Sequence, residues 1–289
     1  MRLVAGIDCG SGFTKAVLIE AAEGEVRVVG KSRTRTGVDL EAAAESALRQ
    51  ALEQAGGARE DVAYVALTGF GRYSIPFRDI QVTEITSAAR GAHHLVPESK
   101  CVLDIGSQST RAMRLRETGK VQAFKTNDKC AAGSGMFLAR AAKYLGVEVE
   151  QVGDLSLGAQ NPQPISSICA VLAESEIINH VSAGVSVEDI LRGIHDSLAE
   201  RAGALLKRVG MEKELTLIGG VARQRGMVKA LEERLQVRVL VPEDCDSVCA
   251  LGAALLGRLR LAGASQGIAN GLPSPSQANV RGTMARHSS

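Results

Sequence analysis

The chain has 289 residues, of which 45% are hydrophobic, 23% are charged and 3% are aromatic. This composition is typical of a globular protein and excludes wholesale disorder, and the length suffices for about two domains. A formal net charge of +2 and the scarcity of aromatic rings argue against nucleic-acid binding. Because no apolar run is long enough to cross a bilayer, we expect a cytoplasmic protein with neither nucleic-acid nor membrane partners.

The N-terminal part of the chain begins with three predicted strands. Apolar runs at 3–7 and 14–20 flank a glycine-rich turn, and a third strand follows at 25–32. Asp39 is a candidate N-cap for the next element. The pattern then predicts a helix, a buried strand and a second helix, at 40–55, 62–67 and 83–95.

The opening pattern returns in the middle of the chain. Residues 7–16 align with residues 103–112 at an offset of 96, with Asp, Gly, Ser, Thr and Ala retained and Lys15 replaced by Arg111. This is a repeat at the scale of a domain rather than a solenoid period. It predicts two similar lobes, each opening with a hairpin that carries an aspartate beside its turn.

The second half is richer in predicted helices. Strands are predicted at 100–105, 110–116, 121–125, 215–218 and 237–241. Helices are predicted at 136–145, from Ser166 or Ser167 to 182, at 186–209, from the Gly219-Gly220 pair to 235, and at 247–261. The residues from 262 onward carry little apolar pattern and predict a mobile tail.

The two Asp-x-Gly-Ser hairpins are candidates for a nucleotide site. Glycine in such a turn lets backbone amides approach phosphate oxygens, and hydroxyl and lysine side chains add donors. Asp8 and Asp104, at the strand ends, are placed to hold Mg²⁺. One isolated copy is equally well explained as an ordinary turn, but two copies across a cleft favour phosphate binding. The candidate ligands in these turns are Gly10, Ser11, Thr14, Lys15, Gly106, Ser107 and Gln108.

Two further glycine-containing segments are candidates for the same site. Gly219, Gly220, Val221 and Ala222 follow a strand and would let a flat ligand lie against the backbone, although a tight strand-to-helix turn explains them as well. Gly133 and Gly135 lie in the polar loop that precedes the helix at 136–145. Arg72 and Glu84 could reach the cleft, although a surface position suits Arg72 equally.

Two of the six cysteines stand apart from the others. Cys130 and Cys169 each lie at the start of a predicted helix, a position that favours the thiolate. A [4Fe–4S] cluster takes four cysteines, so two ligands would have to come from another subunit. The other four fit small buried side chains: Cys9, Cys101, Cys245 and Cys249.

These motifs resemble the superfamily of sugar kinases, Hsp70 and actin (ASKHA). Within it they are similar to the ATPase family of 2-hydroxyacyl-CoA dehydratase activators and benzoyl-CoA reductase ATPase subunits. Residues 6–16 match its first phosphate motif, 104–107 the second, and 219–222 with 251–254 the adenosine region. The segments around Cys130 and Cys169 are the more specific match. In the family these two cysteines, from each of two subunits, hold one [4Fe–4S] cluster.

The resemblance implies an α/β fold of two duplicated, ribonuclease-H-like lobes with an ATP cleft between them. The first lobe is expected over 1–95, completed by the helix at 246–261. The second lobe, with the cluster cysteines, is expected over 96–245, and the tail over 262–289. Asp8 and Asp104 would be the catalytic carboxylates that hold Mg²⁺ and its waters.

The second phosphate motif indicates a branch of the family. Dehydratase activators usually carry Asp-x-Gly-Gly-Gln-Asp-x-Lys there, whereas this chain has Asp104-Ile105-Gly106-Ser107-Gln108-Ser109-Thr110-Arg111. That version is similar to the smaller, delta-type ATPase subunit of benzoyl-CoA reductase. It implies an ATP-driven electron-transfer subunit with a homologous ATPase partner, catalytic acyl-CoA-binding subunits and a ferredoxin-like donor. The alternatives are a homodimeric dehydratase activator and a small-molecule kinase without a cluster.

Overall fold

The computed structural model describes residues 2–22, 24–127, 134–166 and 169–269, with side chains as far as residue 264. Two of the candidate site residues, Cys130 and Gly133, lie outside the described residues, as does the predicted tail from residue 270 onward. Within the described part of the chain, no helix is both long and apolar enough to span a membrane.

The first sheet has five strands in the order β3-β2-β1-β4-β5. They are β1 (Leu3–Cys9), β2 (Phe13–Glu20), β3 (Val28–Arg35), β4 (Val62–Thr68) and β5 (Ile80–Gln81). β2 pairs antiparallel with β1 and with β3, whereas β4 pairs parallel with β1 and with β5. Helix α1 (Leu40–Ala55) covers one face, and its first turn is capped by the Asp39 carboxylate, which accepts from the Ala42 amide at 2.9 Å.

The second sheet repeats this topology. Its strands are β6 (Cys101–Ile105), β7 (Thr110–Leu115), β8 (Val121–Asn127), β9 (Leu215–Ile218) and β10 (Val239–Leu240), in the order β10-β9-β6-β7-β8. β6 therefore corresponds to β1, and the β6–β7 hairpin to the β1–β2 hairpin. The duplication predicted from the sequence repeat is confirmed.

The helices of the second half surround the largest core of the molecule. They are α3 (Gly135–Leu145), α4 (Val152–Leu155), α5 (Ala170–Ser182), α6 (Val187–Val209) and α7 (Arg225–Leu235). Their apolar side chains pack on the face of the second sheet that presents Leu103 and Ile105. Since side chains alternate along a strand, Asp104 points to the opposite face, toward the first lobe.

Two helices pack between the sheets, and each lies on the sheet of the other half of the chain. α2 (Glu84–Leu95) packs on Val102 and Met113 of the second sheet, and α8 (Val248–Ala269) packs on Val4 and Val17 of the first. The expected division after residue 95 places α2 with the first lobe, whereas its apolar contacts are with the second sheet.

The two helices cross at glycines. A Cβ atom on Gly252 would lie 1.8 Å from the Ser87 carbonyl oxygen, and one on Gly91 would lie 2.1 Å from that of Val248. Only glycine permits this approach of the two backbones. Close contact between α2 and α8 thus joins the two sheets into one structure.

The last helix is longer than the predicted helix at 247–261. α8 continues to Ala269, so residues 262–269, which the sequence pattern assigned to the tail, are helical. No proline that would stop the helix occurs between Val248 and Pro273, and the alanines of this stretch sustain it.

Candidate nucleotide site

The turns of the two repeated hairpins meet between the sheets. A Cβ atom on Gly12 would lie 2.8 Å from Oγ and 3.0 Å from Cβ of Ser107. Asp8 and Asp104, at the ends of β1 and β6, are 8% and 4% exposed. The two Asp-x-Gly-Ser motifs therefore face each other, as the sequence repeat predicts.

Each aspartate forms an ion pair with the residue opposite it in its own hairpin. Lys15 Nζ lies 2.9 Å from Asp8 Oδ2, and Arg111 Nη1 lies 3.0 Å from Asp104 Oδ2. Burial and the nearby Asp8 carboxylate raise the pKa of Asp104, although Arg111 opposes them. Burial disfavours the charged form of Lys15, but the Asp8 carboxylate holds its pKa above the usual value.

The glycine that follows the neighbouring parallel strand packs against each aspartate. Gly69 follows β4 with φ +89°, and Gly219 follows β9 with φ +91°. A Cβ atom would lie 2.5 Å from Asp8 Oδ1 at Gly69, and 2.6 Å from Asp104 Oδ1 at Gly219. Both the positive φ and the contact require glycine. Gly219 was predicted, whereas Gly69 was missed, although each follows the end of a strand that pairs with an Asp-bearing strand.

The segment after Gly219 differs from its predicted form. Residues Gly220–Arg223 form a 3₁₀ turn, and α7 begins only at Arg225. The side chains of Val221 and Ala222 are buried, while Gly220 is exposed. The left-handed backbone at Gly219 turns the chain before a helix can start, so these residues do not open a helix directly.

Helix α3 starts on the second phosphate turn. The amide of Gly135 donates to the Gly106 carbonyl at 2.9 Å, and the amide of Met136 donates to that of Ser107 at 2.8 Å. A Cβ atom on Gly135 would lie 3.0 Å from Val221 Cγ2. The structure thus brings three candidate segments together: the second turn, the start of α3 and the loop after β9.

The remaining candidates divide into two groups. Gly10, Ser11 and Ser107 are partly exposed at the turns, and Gln108 is exposed. Thr14 is fully buried, with its hydroxyl 3.0 Å from Thr36 Oγ1 and 3.6 Å from Cys9 Sγ. Its side chain packs inside the first lobe beneath the turn, against Cys9 and Thr36, and does not face the gap between the two turns.

Five of the six cysteines lie in the described part of the chain. Cys9, Cys101, Cys245 and Cys249 are buried, which confirms the interpretation of these four as core residues. Burial raises the pKa of each thiol, to about 11 for Cys245. Cys169, in contrast, is half-buried at the N-cap of α5. Within the described ranges, no group of three or more His, Cys, Asp or Glu residues is arranged to hold a metal ion.

Helices α3 and α5 are joined by an acidic side chain of α5. Glu174 lies 2.7 Å from Arg140 Nη2 and 3.3 Å from the Tyr144 hydroxyl, both on α3. The neighbouring Glu176 accepts from the Ser166 amide at 2.5 Å, just before Cys169. The start of α5 is thereby connected to the helix that begins on the second phosphate turn.

A duplicated α/β fold with paired aspartate-bearing hairpins defines the ASKHA class of two-lobed nucleotide-binding proteins. The chain belongs to the BadF/BadG/BcrA/BcrD ATPase family, whose profile matches residues 5–257. It is 42% identical over 267 residues to a benzoyl-CoA reductase subunit from Thauera aromatica, covering 90% of this chain and 94% of that protein.

Solved structures agree with this assignment. The activator of the 2-hydroxyisocaproyl-CoA dehydratase from Clostridium difficile with bound ADPNP superimposes with a TM-score of 0.87 at 35% identity, over 92% of this chain and 97% of that one. A ROK family glucokinase from Streptomyces griseus, at 15% identity over 89% and 99% of the chains, has a TM-score of 0.55 and shares the fold alone. The predicted fold class is confirmed, and ATP is the ligand that the family and the ADPNP-bound relative support.

Proposed function

We propose that the chain is the ATP-hydrolysing, electron-activating subunit of a benzoyl-CoA reductase. The observation that carries the proposal is the hydrogen bonding of α3 to the second phosphate turn. Because Glu174 joins α3 to α5, the helix with Cys169 at its N-cap, these hydrogen bonds connect the nucleotide cleft to a candidate cluster ligand. The second phosphate motif, with Ser107 and Arg111, and the similarity to the reductase subunit from T. aromatica favour this branch.

In the proposed reaction, Asp8 and Asp104 hold Mg²⁺ and its waters, and one of them orients the water that attacks the γ-phosphate. The donor set fits this ion, because Mg²⁺ prefers carboxylate oxygens and keeps several waters. A Cβ atom on Gly69 or Gly219 would fill the space beside Oδ1 of Asp8 or Asp104, so the two glycines leave room for an ion at Oδ1, while Oδ2 pairs with Lys15 or Arg111. The backbone amides of the two turns bind the phosphates.

Cys130 and Cys169 are the proposed cluster ligands of this chain. Cys169 fits this role by position, because it is half-buried at the N-cap of α5, unlike the four cysteines that lie in the core. Four thiolates hold a [4Fe–4S] cluster, so the homologous ATPase subunit would supply the other two across a pseudo-twofold axis. When bound, the cluster would relay single electrons from a ferredoxin-like donor to the acyl-CoA-binding subunits.

The contacts of α3 suggest how the nucleotide acts on this region. Closure of the lobes around ATP would move the second phosphate turn, and with it the α3 amides of Gly135 and Met136. Through Glu174 the movement would pass to α5 and Cys169. Such closure around a ligand is a common route of conformational coupling.

Anaerobic purification of the full chain tests the proposal. We expect brown protein with absorbance at about 400 nm and about four iron atoms per pair of ATPase subunits. Cys130→Ser or Cys169→Ser should remove the colour, whereas Cys245→Ala, at a buried core position, should retain it. Colourless, iron-free wild-type protein would refute the electron-transfer function and favour the small-molecule kinase.

A homodimeric activator of a 2-hydroxyacyl-CoA dehydratase is the second candidate, favoured by the similarity to the C. difficile activator. Co-purification from the native host, followed by mass spectrometry, separates the two. A different ATPase subunit together with two larger subunits indicates the reductase. A homodimer that lacks these subunits indicates the activator.

A further inference from the structure

Two acidic residues lie where the chain crosses from one lobe to the other. Glu84 is the first residue of α2, after the chain leaves the first sheet at β5. Asp246 lies between β10, in the second sheet, and α8. Both side chains are largely buried, with 18% of Glu84 and 3% of Asp246 exposed.

Glu84 joins arginines of the two lobes. Its Oε2 lies 2.7 Å from Arg72 Nη1, and its Oε1 lies 3.4 Å from Arg111 Nη2. Arg72 belongs to the 3₁₀ turn after β4 and also donates to the Gly69 carbonyl at 2.7 Å. Arg111, on β7 of the second sheet, holds Asp104. One carboxylate therefore connects the loop against Asp8 with the cation that holds Asp104.

Asp246 forms the corresponding bridge from other residues. Arg223, in the 3₁₀ turn after β9, donates to both of its oxygens at 2.9 and 3.1 Å. Arg33, on β3 of the first sheet, approaches it at 3.5 Å. The guanidinium of Arg33 also lies 3.7 Å from the ring centre of Phe13, which follows Gly12 in the first phosphate turn.

From these contacts we propose that Glu84 and Asp246 are positioning residues that fix the spacing between the two phosphate-binding hairpins. Glu84 acts on Asp104 through Arg111, and Asp246 acts on the first turn through Arg33 and Phe13. Because reacting groups in an enzyme must be held to a fraction of an ångström, a small change in this spacing slows hydrolysis strongly. The inference rests on the ATPase function proposed above and does not involve the cluster.

The two terminal nitrogens of the Arg111 guanidinium allow this residue to pair with Asp104 and Glu84 at the same time. Nη1 pairs with Asp104 while Nη2 pairs with Glu84. A lysine ammonium is a single point charge on a flexible stem and does not reproduce this planar arrangement. The arginine of the second phosphate motif therefore adds, through Glu84, a connection to Arg72 of the other lobe that a lysine would lack.

Steady-state ATP hydrolysis by the full chain provides the first test. Glu84→Gln and Asp246→Asn keep side-chain size and remove the charge, and each should lower kcat by about tenfold or more while KM for ATP changes by less than about threefold. In an Arg111→Lys background, Glu84→Gln should add less than about twofold. Asp154→Asn is the control and should match wild type, because Asp154 is exposed and pairs with the exposed Arg225 at the surface.

Hydrogen exchange provides a second test that does not require turnover. Mg·ADP should slow amide hydrogen exchange in residues 69–73 and 219–223 of the wild-type chain. The Glu84→Gln and Asp246→Asn variants should each lose at least half of that slowing. Unchanged kcat and unchanged slowing in both variants would overturn the inference, as would full additivity of Glu84→Gln with Arg111→Lys. A wild-type chain that binds Mg·ADP without hydrolysing ATP contradicts the proposed function alone, and hydrogen exchange then decides the inference.

Discussion

Single backbone positions determine how closely the protein surrounds its two buried carboxylates. Gly69 and Gly219 have left-handed φ values, and the space a Cβ would need at either is taken by a carboxylate oxygen and a strand carbonyl. The sequence repeat exposed Asp8, Asp104 and their turns because the residues are contiguous. The sequence placed Glu84 near the cleft but showed neither its bridging role nor Asp246, because the arginine partners of both residues come from other strands and from the other lobe.

Gly219→Ala should be strongly destabilising. The substitution forces alanine to a φ of +91° and places its methyl 2.5 Å from the Ile105 carbonyl oxygen. Gly184→Ala is the matched control, because Gly184 has φ +75° with no heavy atom within 4 Å of the added Cβ. We expect unfolding free energies lowered by about 3 kcal/mol for Gly219→Ala and about 1 kcal/mol for Gly184→Ala, measured by urea denaturation. Equal losses would show that the backbone relaxes around the methyl group.

At the scale of elements, hydrophobic patterning placed most strands and helices correctly. It located β3 about three residues too early, because this edge strand carries alternating basic side chains and has no apolar run to mark its ends. It also ended α8 at residue 261, since small residues without a clear apolar face resemble a tail.

The contact between α3 and α5 gives a prediction at this scale. Glu174→Gln removes the charge that pairs with Arg140 at 2.7 Å, so the first turns of α5 should open more often. We expect amide exchange in residues 170–175 to become about threefold faster, equivalent to about 0.7 kcal/mol of local stability. The exchanged pair, Glu174→Arg with Arg140→Glu, should recover at least half of the protection. Faster exchange in the exchanged pair than in Glu174→Gln would show that the ion pair does not hold the helices together.

At the scale of the whole molecule, the crossing of α2 and α8 is the feature that the sequence repeat could not show. The repeat divides the chain into two similar halves, and the pattern of each half suffices to predict a sheet of its own. In the structure, however, each sheet is covered on its inner face by a helix from the other half. Neither sheet has a complete core without the other half, so the lobes depend on each other for stability.

This exchange of helices predicts that the two lobes unfold together. Calorimetry of the full chain should show one transition, and saturating Mg·ADP should shift it as a unit. At a ligand concentration about one hundred times Kd, binding to the native state alone adds about 2.7 kcal/mol, which corresponds to a rise in Tm of about 5 °C. Asp8→Asn should reduce the rise, because that carboxylate lies between the phosphate turns. Two transitions, only one of which moves with Mg·ADP, would show that the α2–α8 crossing does not couple the lobes.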